Sequence, residues 1–484
     1  MSAMGSSIRG KTAAVVLSVA VAMSFHAQLQ GKTLEGREQL VGRWDAQAVN
    51  EKGQSIPFRL DIVDTAGTLK GYFYDNLEAS AAAVKAEVVN GQPSLTISNQ
   101  KERLLGEIYR SIDAKLINDE LNGTLSLSYR DDALRSLTGK TVKGGDYKFS
   151  AVHHEAGADA NVPNIDGEWE VPLNAPNTKG ERSQRLLVQQ KGPDIAVSVL
   201  RVDGDGGAFD GYYHDGKWIV SSVNSRGLAF YEIKPQADTL LVKTSTGRTV
   251  DTHSVASDYS GEGEASDTAI AYRPAVARQK GLAEPADYAA HTTVRDSNEV
   301  FKFNFPDAAT GKAVSSEDPR FKGKVVIAVV TGTWCPNCHD EVQYLVKLDE
   351  KYRDKGVAIV ALDFEEPEQL TTLSRQKRFM EHYQVKYPYL IAGTPAEMWE
   401  KVPQLVNLNT WPTTVFVGRD GKVRRIHAGF ASPASAKYYE KLQDEFTSTI
   451  DQLLAEPAST TASSADAPSQ PDAAHAALVA EASK

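Results

Sequence analysis

The sequence predicts a multidomain chain: an all-β N-terminal part of two antiparallel barrel- or sandwich-like modules, then an α/β domain in the C-terminal third. Three observations lead there. Residues 36–155 carry short runs with period-two alternation broken by turn signals, residues 165–273 repeat that plan, and after Val294 strands begin to alternate with helices. At 484 residues the chain has room for about three domains at roughly 150 residues each. A net charge of −10, spread along the chain, argues against a nucleic-acid or anionic-membrane surface.

Residues 1–27 read as a signal peptide: Arg9 and Lys11 precede the apolar run Thr12 to Phe25, which is too short to span a membrane comfortably. In the first β module, Phe58-Arg59-Leu60-Asp61-Ile62-Val63 and Leu125-Ser126-Leu127-Ser128-Tyr129 alternate as half-buried strands do. Glu51-Lys52-Gly53, Asn90-Gly91 and Asn122-Gly123 supply the turns. The second module, residues 165–273, opens on Gly167-Glu168-Trp169 as the first opens on Gly42-Arg43-Trp44. Gly211-Tyr212-Tyr213-His214-Asp215 echoes Gly71-Tyr72-Phe73-Tyr74-Asp75, which points to a duplication. An early Gly-x-Trp before many antiparallel strands resembles lipocalin-like and similar β modules, a likeness of fold that says little about ligand. Trp44 and Trp169 read as core aromatics at a barrel end. His153-His154 lies in a polar stretch read as an inter-module linker, without the further ligands a metal site needs, and residues 274–294 read as a second linker.

From residue 295 to 454 the pattern predicts a short strand at Phe301–Phe305 and a central buried strand over Lys324–Thr331. A helix over Pro336–Lys355 ends at Gly356, and a second buried strand covers Val357–Phe364. There follow a helix over Glu368–Tyr383, a strand over Tyr387–Ile391, a short helix over Ala396–Val402, a hairpin of Thr413–Gly418 and Lys422–His427, and a last helix over Ser435–Leu454. Residues 455–484, rich in Ala, Ser, Pro and Asp, read as a disordered tail.

The chemistry is concentrated at Trp334-Cys335-Pro336-Asn337-Cys338, which holds the only two cysteines of the chain. A Cys-x-x-Cys pair closes too small a loop to constrain much unfolded chain, so it reads as a redox-active disulfide. Cys335 falls at a helix N-terminus, where free N–H groups and the positive dipole end favour thiolate and lower its pKa below about 8.5. That assigns Cys335 as the attacking, more exposed thiol and Cys338, one turn deeper, as the resolving one.

Together with Lys322-Gly323-Lys324-Val325-Val326, Gly332-Thr333, Glu341, Glu366 and Trp411-Pro412-Thr413-Thr414, this motif resembles the thioredoxin fold. More narrowly, it resembles the TlpA/ResA-like redoxin group of exported thiol–disulfide oxidoreductases. The resemblance covers about a third of the chain and leaves out both β modules. It implies that Glu341 handles a proton for Cys338, with Glu366 (or the adjacent Glu365) as a second acid. It implies a cis Pro412 facing the cysteines, and backbone from Trp411 that pairs with a bound peptide. Trp334, Trp411 and Thr413 are the residues expected to meet substrate. One departure stands out: thioredoxin itself has an acid six positions before its first cysteine, where this chain has Val329.

Other readings start from the same residues. Cys335 to His339 spells the c-type haem motif CxxCH, with Met380 or Met398 imaginable as a second axial ligand. Zinc lacks a second Cys pair or a suitable His pair. A peroxiredoxin-like peroxidase has Thr or Ser three residues before the attacking cysteine, where this chain has Gly332. A further reading makes the β modules a ligand- or partner-binding unit with an accessory redoxin domain. The expectation carried forward is an exported, periplasmic reductase of protein disulfides without cofactor or metal. Its partners would be disulfide-containing exported proteins and a membrane thiol electron donor.

Overall fold

The computed structural model describes residues 38–49, 53, 55–75, 78–89, 92–103, 106–131, 145–155, 161–224, 227–247 and 268–457. The signal peptide read at residues 1–27, the turns read at Glu51-Lys52 and Asn90-Gly91, and the tail beyond residue 457 lie outside these. Among the described residues no helix is long and apolar enough to cross a membrane.

The first eight strands form a closed antiparallel barrel in sequence order: β1 (Gly42–Val49), β2 (Ser55–Thr65), β3 (Thr68–Asp75), β4 (Glu78–Val89), β5 (Gln92–Arg103), β6 (Gly106–Ile117), β7 (Glu120–Asp131) and β8 (Asp146–His153). Alternate residues of β2 (Ile56, Phe58, Leu60 and Ile62) point inward and are buried, as the period-two pattern requires. Register from Trp44↔His153 to Val49↔Lys148 closes the barrel.

The hairpin read at Asn122-Gly123 falls elsewhere. The β6–β7 turn is made by Asn118 and Asp119, both at positive φ (52° and 64°), while Asn122 and Gly123 lie inside β7. Gly123 is there for clearance: a Cβ at this position would sit 1.9 Å from the carbonyl oxygen of Asp113 on β6. Nor is His153-His154 a linker. His153 ends β8 and stacks on Trp44 with ring centroids 3.7 Å apart, and the His154 imidazole hydrogen-bonds Asp45 at 3.0 Å.

A second closed barrel follows, again in sequence order: β9 (Gly167–Pro172), β10 (Ser183–Lys191), β11 (Asp194–Arg201), β12 (Gly204–His214), β13 (Lys217–Asn224), β14 (Gly227–Gln236), β15 (Thr239–Gly247) and β16 (Thr268–Tyr272). The two Gly-x-Trp segments occupy equivalent places. Each tryptophan is buried in the first strand of its barrel and donates its indole N–H to the carbonyl four residues earlier, Trp44 to Leu40 at 3.0 Å and Trp169 to Ile165 at 2.8 Å. The other echo is not equivalent: Gly71–Asp75 ends the third strand of one barrel, and Gly211–Asp215 runs through the end of the fourth strand of the other. The second barrel closes thinly, with Tyr272↔Glu170 the register pair between β16 and β9. Side chains reinforce this seam. Arg278 forms an ion pair with Glu170, and the Arg273 guanidinium lies 3.8 Å from the centre of the Trp169 ring.

Residues 274–294 carry two short helices, α1 (Pro274–Gln279) and α2 (Tyr288–His291), and the short strand β17 (Thr293–Val294). β18 (Asn304–Pro306) and β19 (Ala313–Ser315) pair with each other, so the strand read over Phe301–Phe305 starts later; Phe301 and Phe303 are buried core residues ahead of it. The main sheet is built from β20 (Val325–Thr331), β21 (Val357–Phe364), β22 (Tyr389–Gly393), β24 (Thr413–Val417) and β25 (Val423–Ala428), in the order β22-β21-β20-β24-β25, with β23 (Leu405–Val406) paired to β17 outside it. β20, β21 and β22 are parallel; β24 runs antiparallel to both its neighbours. β20 is buried along its whole length, which its unbroken apolar run dictates.

Helix α3 (Pro336–Tyr352) passes through a short 3-10 turn to Gly356, whose φ of 97° lets the chain reverse into β21. The helix read over Glu368–Tyr383 is split into α4 (Pro367–Thr372) and α5 (Ser374–Tyr383) by Leu373, at φ 52°. The short α6 (Met398–Lys401) and the long α7 (Lys437–Ala455) complete the set.

The second barrel packs directly on this α/β region. Leu187 and Leu200 share an apolar cluster with Tyr344 of α3 and Phe430, and Glu168 accepts from Lys437 (3.1 Å) and Tyr438 (2.8 Å) at the start of α7.

Candidate active site

β20, the central strand, delivers the chain to the end of the sheet at Thr331, and the Gly332–Cys335 turn hands it to α3. Gly332 is dictated by contact: a Cβ there would lie 2.5 Å from the Trp334 indole nitrogen and 2.8 Å from the carbonyl oxygen of Phe364. The indole N–H donates to that carbonyl at 3.0 Å, pinning the turn to the end of β21. A Thr or Ser side chain, which the peroxidase reading requires here, has no room.

Cys335 is the N-cap of α3, with Pro336 in its first turn, and both cysteines are free thiols. Trp411–Pro412 is a cis peptide, and the Trp411 carbonyl oxygen lies 3.5 Å from the Cys335 sulfur. The Trp334 and Trp411 rings meet edge to face with centroids 5.3 Å apart. Cys335 is the more exposed thiol, as expected, but by a small margin: both are buried, at 4% exposure against 1% for Cys338. Burial, then the hydrogen bond and charge of Cys335, push the Cys338 thiol well above its ordinary value; the Thr331 hydroxyl opposes the shift.

Glu341 is buried one turn beyond Cys338 and accepts from the Thr414 hydroxyl on β24. Burial pushes its carboxyl up to about 8, and the Thr414 hydrogen bond opposes the shift. Val329 is an apolar core residue of β20.

Of the two neighbouring acids at the end of β21, Glu365 is the one that meets the cysteine turn. Its carboxylate accepts from the Thr333 hydroxyl and, at 3.3 Å, from the Thr333 N–H. Glu366 accepts from Arg375 at 2.6 Å, and Arg375 also pairs with Glu365. Burial works against the Arg375 charge, but the two glutamates outweigh it and hold its pKa above the ordinary value. Thr413, read as a substrate contact, is fully buried, with its hydroxyl donating to the Thr410 carbonyl at 2.9 Å.

His339 is engaged on both nitrogens, with the Thr333 carbonyl at 2.8 Å and the Tyr383 hydroxyl at 2.9 Å. Met398 is a core residue, and Met380 packs against the other apolar cluster. The haem reading needs this imidazole as an axial ligand, and here it braces the turn instead.

Asp363 escaped the sequence reading. It is fully buried on β21, opposite Thr331, and accepts from the Tyr389 hydroxyl at 3.0 Å. Burial, then the nearby Glu365, push its carboxyl well up. Its signal was an acid inside the apolar run Val357–Phe364.

Comparison with known proteins agrees with this geometry. A family model described as Redoxin matches residues 295–442. The C-terminal third is a redoxin domain. The thiol-disulfide oxidoreductase ResA of Bacillus cereus is 36% identical over 114 residues, a stretch that covers 23% of this chain and 58% of the relative. The ResA of Halalkalibacterium halodurans is 28% identical over 142 residues, 29% of this chain and 73% of the relative. Among solved structures, a putative thiol:disulfide interchange protein DsbE from Chlorobium tepidum aligns with 33% of this chain and 99% of its own, at 18% identity and a TM-score of 0.26. The chain therefore spans somewhat over half the length of the first of these relatives, and the redoxin domain is the part they share. Its five-stranded sheet, with the cis-proline loop against the cysteine helix, is thioredoxin-like.

Proposed function

We propose that the chain is an exported thiol–disulfide oxidoreductase that reduces disulfides in other exported proteins. One observation carries the reading: a free Cys335 at the N-cap of α3, one turn from Cys338, with the Trp411 carbonyl against its sulfur. Cys335 thiolate attacks one sulfur of the partner disulfide, forming a mixed disulfide and releasing the other sulfur as thiolate, which takes up a proton. Cys338 then loses its proton to the Glu341 carboxylate and attacks the Cys335 sulfur. The partner's second thiolate leaves, and two electrons have passed from the dithiol to the partner.

With its carboxyl pushed up to about 8, Glu341 is mostly protonated at neutral pH, so its base form grows as the pH rises. Electrons return to the Cys335–Cys338 disulfide from a membrane thiol donor. We divide the chain into a signal peptide (1–27), β modules (36–155 and 165–273), a connecting segment (274–294), the redoxin domain (295–454) and a tail (455–484).

Cys338→Ser is expected to accumulate mixed disulfides on Cys335 that dithiothreitol releases, and the reduced wild-type protein to reduce insulin. Absence of both sinks the reading. A reduction potential near thioredoxin's, about −270 mV, supports net reduction; one near the oxidising end, about −120 mV, reverses the direction.

A further inference from the structure

Both thiols of the redoxin domain are buried, and the second barrel is seated beside them. The turn between β11 and β12, Val202–Asp203, and the two residues after it lie along both structures that flank Cys335. On the helix side, the Asn337 amide within the Cys335–Cys338 loop donates to the Asp203 carbonyl at 2.5 Å. On the other side, Gly429 donates to the Pro412 carbonyl of the cis-proline loop at 2.7 Å, the next residue, Phe430, donates its N–H to the Asp203 carbonyl at 3.3 Å, and Gly204 forms a parallel bridge with Phe430. The fit is close on both chains. A Cβ on Gly204 would sit 2.1 Å from the Phe430 carbonyl oxygen, and one on Gly429 would sit 2.2 Å from the Val202 carbonyl oxygen.

Lys179 of the same barrel donates to the Asn409 carbonyl at 3.1 Å, with its ammonium 5.9 Å from the centre of the Trp411 ring. The anchor of the turn is Asp205. Buried at 2% exposure, it accepts from the Ser432 N–H and hydroxyl, both at 2.7 Å, and from the Ser435 hydroxyl at 2.6 Å.

We propose that the Val202–Asp205 turn is the specificity element of the dithiol, giving small disulfides ready access to Cys335 and slowing attack on those of a folded protein surface, which proceeds only when the turn is displaced. The inference rests on the oxidoreductase reading and adds to it the size class of the substrate. A folded protein needs the rim around Cys335 to be clear, and backbone of the barrel already lines that rim on the helix side and the loop side. A glutathione-sized disulfide needs only a narrow approach to one sulfur.

The test uses the full chain. In a Cys338→Ser background, where one thiol reports, Cys335 is alkylated with iodoacetamide and with a maleimide carrying a long polyethylene glycol chain. With both cysteines present, reduction of glutathione disulfide is compared with reduction of insulin. Asp205→Ala removes the anchor; Gly204→Ala wedges the turn away from Phe430. Each is expected to raise the rates with the bulky maleimide and with insulin about tenfold or more, as loss of charge-assisted hydrogen bonds implies, and to change the rates with small reagents far less.

Equal acceleration of small and large reagents overturns the proposal, as does no acceleration in a variant whose circular dichroism is unchanged. The wild-type protein can still overturn the proposal even if both variants unfold. Its ratio of bulky to small alkylation rates is expected about tenfold or more below that of an unstructured cysteine peptide, and an equal ratio overturns the proposal. Size-selective alkylation without reduction of any disulfide leaves the turn's role standing and removes the oxidoreductase reading.

Discussion

Two regions beside the cysteines bury carboxylates in opposite ways. Glu341, between α3 and β24, has a hydroxyl partner in Thr414, and its carboxyl is pushed up to about 8. Glu365 and Glu366, just after β21, are buried too but share Arg375. A buried acid beside a neutral partner tends to hold a proton, whereas two buried acids that share one cation form a strut. The resemblance to the TlpA/ResA-like group assigned proton handling to Glu341 and to Glu366 or Glu365. The surroundings favour that role for Glu341 and a bracing role for the pair, through Thr333, on the turn that carries Cys335.

The comparison breaks most sharply at Arg375. Arg375→Ala leaves two carboxylates buried without their cation, and is expected to cost about 3–5 kcal/mol in urea unfolding at neutral pH. A cost within experimental error means the pair is hydrated and not a strut.

Glu341 is read through pH. Its carboxyl titrates near 4.5 when unfolded and near 8 when folded. Its contribution to stability is therefore complete below about 4.5, falls as the pH rises, and is lost once the pH passes about 8. The fall is at most about 1.4 kcal/mol per pH unit. Glu341→Gln is expected to abolish this slope between pH 5 and 8, and to flatten the rise with pH in the rate of the second exchange step. Parallel stability curves for wild type and variant mean that the acid is ionised in the fold.

Glu365→Gln keeps Glu366 on Arg375 and a hydrogen-bonding group at Thr333, so a stability loss of about 1–3 kcal/mol in urea unfolding is expected. The smallest effect is at Thr414. Thr414→Val removes a hydrogen bond that lowers the Glu341 pKa, so the plateau of the exchange rate should move to higher pH at a stability cost of about 1 kcal/mol. A plateau moving to lower pH contradicts the assigned direction.

How much of this was legible beforehand follows from the range of the interactions involved. The buried strand Val357–Phe364 was read with its observed ends because continuous apolar residues between a Gly stop and acids admit little else. Asn122-Gly123 misled because the same dipeptide serves a hairpin turn and a close strand approach, and only the partner strand tells them apart. The two Gly-x-Trp openings were true equivalents, as the matched indole-to-carbonyl bonds show; the Gly-Tyr echo joined strands of different rank. Glu365 and Glu366 are sequence neighbours that both pair with Arg375, ten and nine positions further on, and that Glu365 is held by Thr333, 32 positions earlier, shows only in the fold. The barrel turn over the dithiol left no local trace: Asp203 and Asn337 are 134 positions apart.

The thin closure of the second barrel has a mechanical consequence. Where β16 meets β9, one register pair is backed by Arg273 and Arg278, which belong to the segment leading out of the barrel toward the redoxin domain. The first barrel is laced along the length of β1 and has no such dependence. Tension applied through residues 273–294 would thus bear on the seam of the second barrel, peeling Arg278 from Glu170 and unzipping β16. The leash between the two parts of the protein doubles as the latch of one of them.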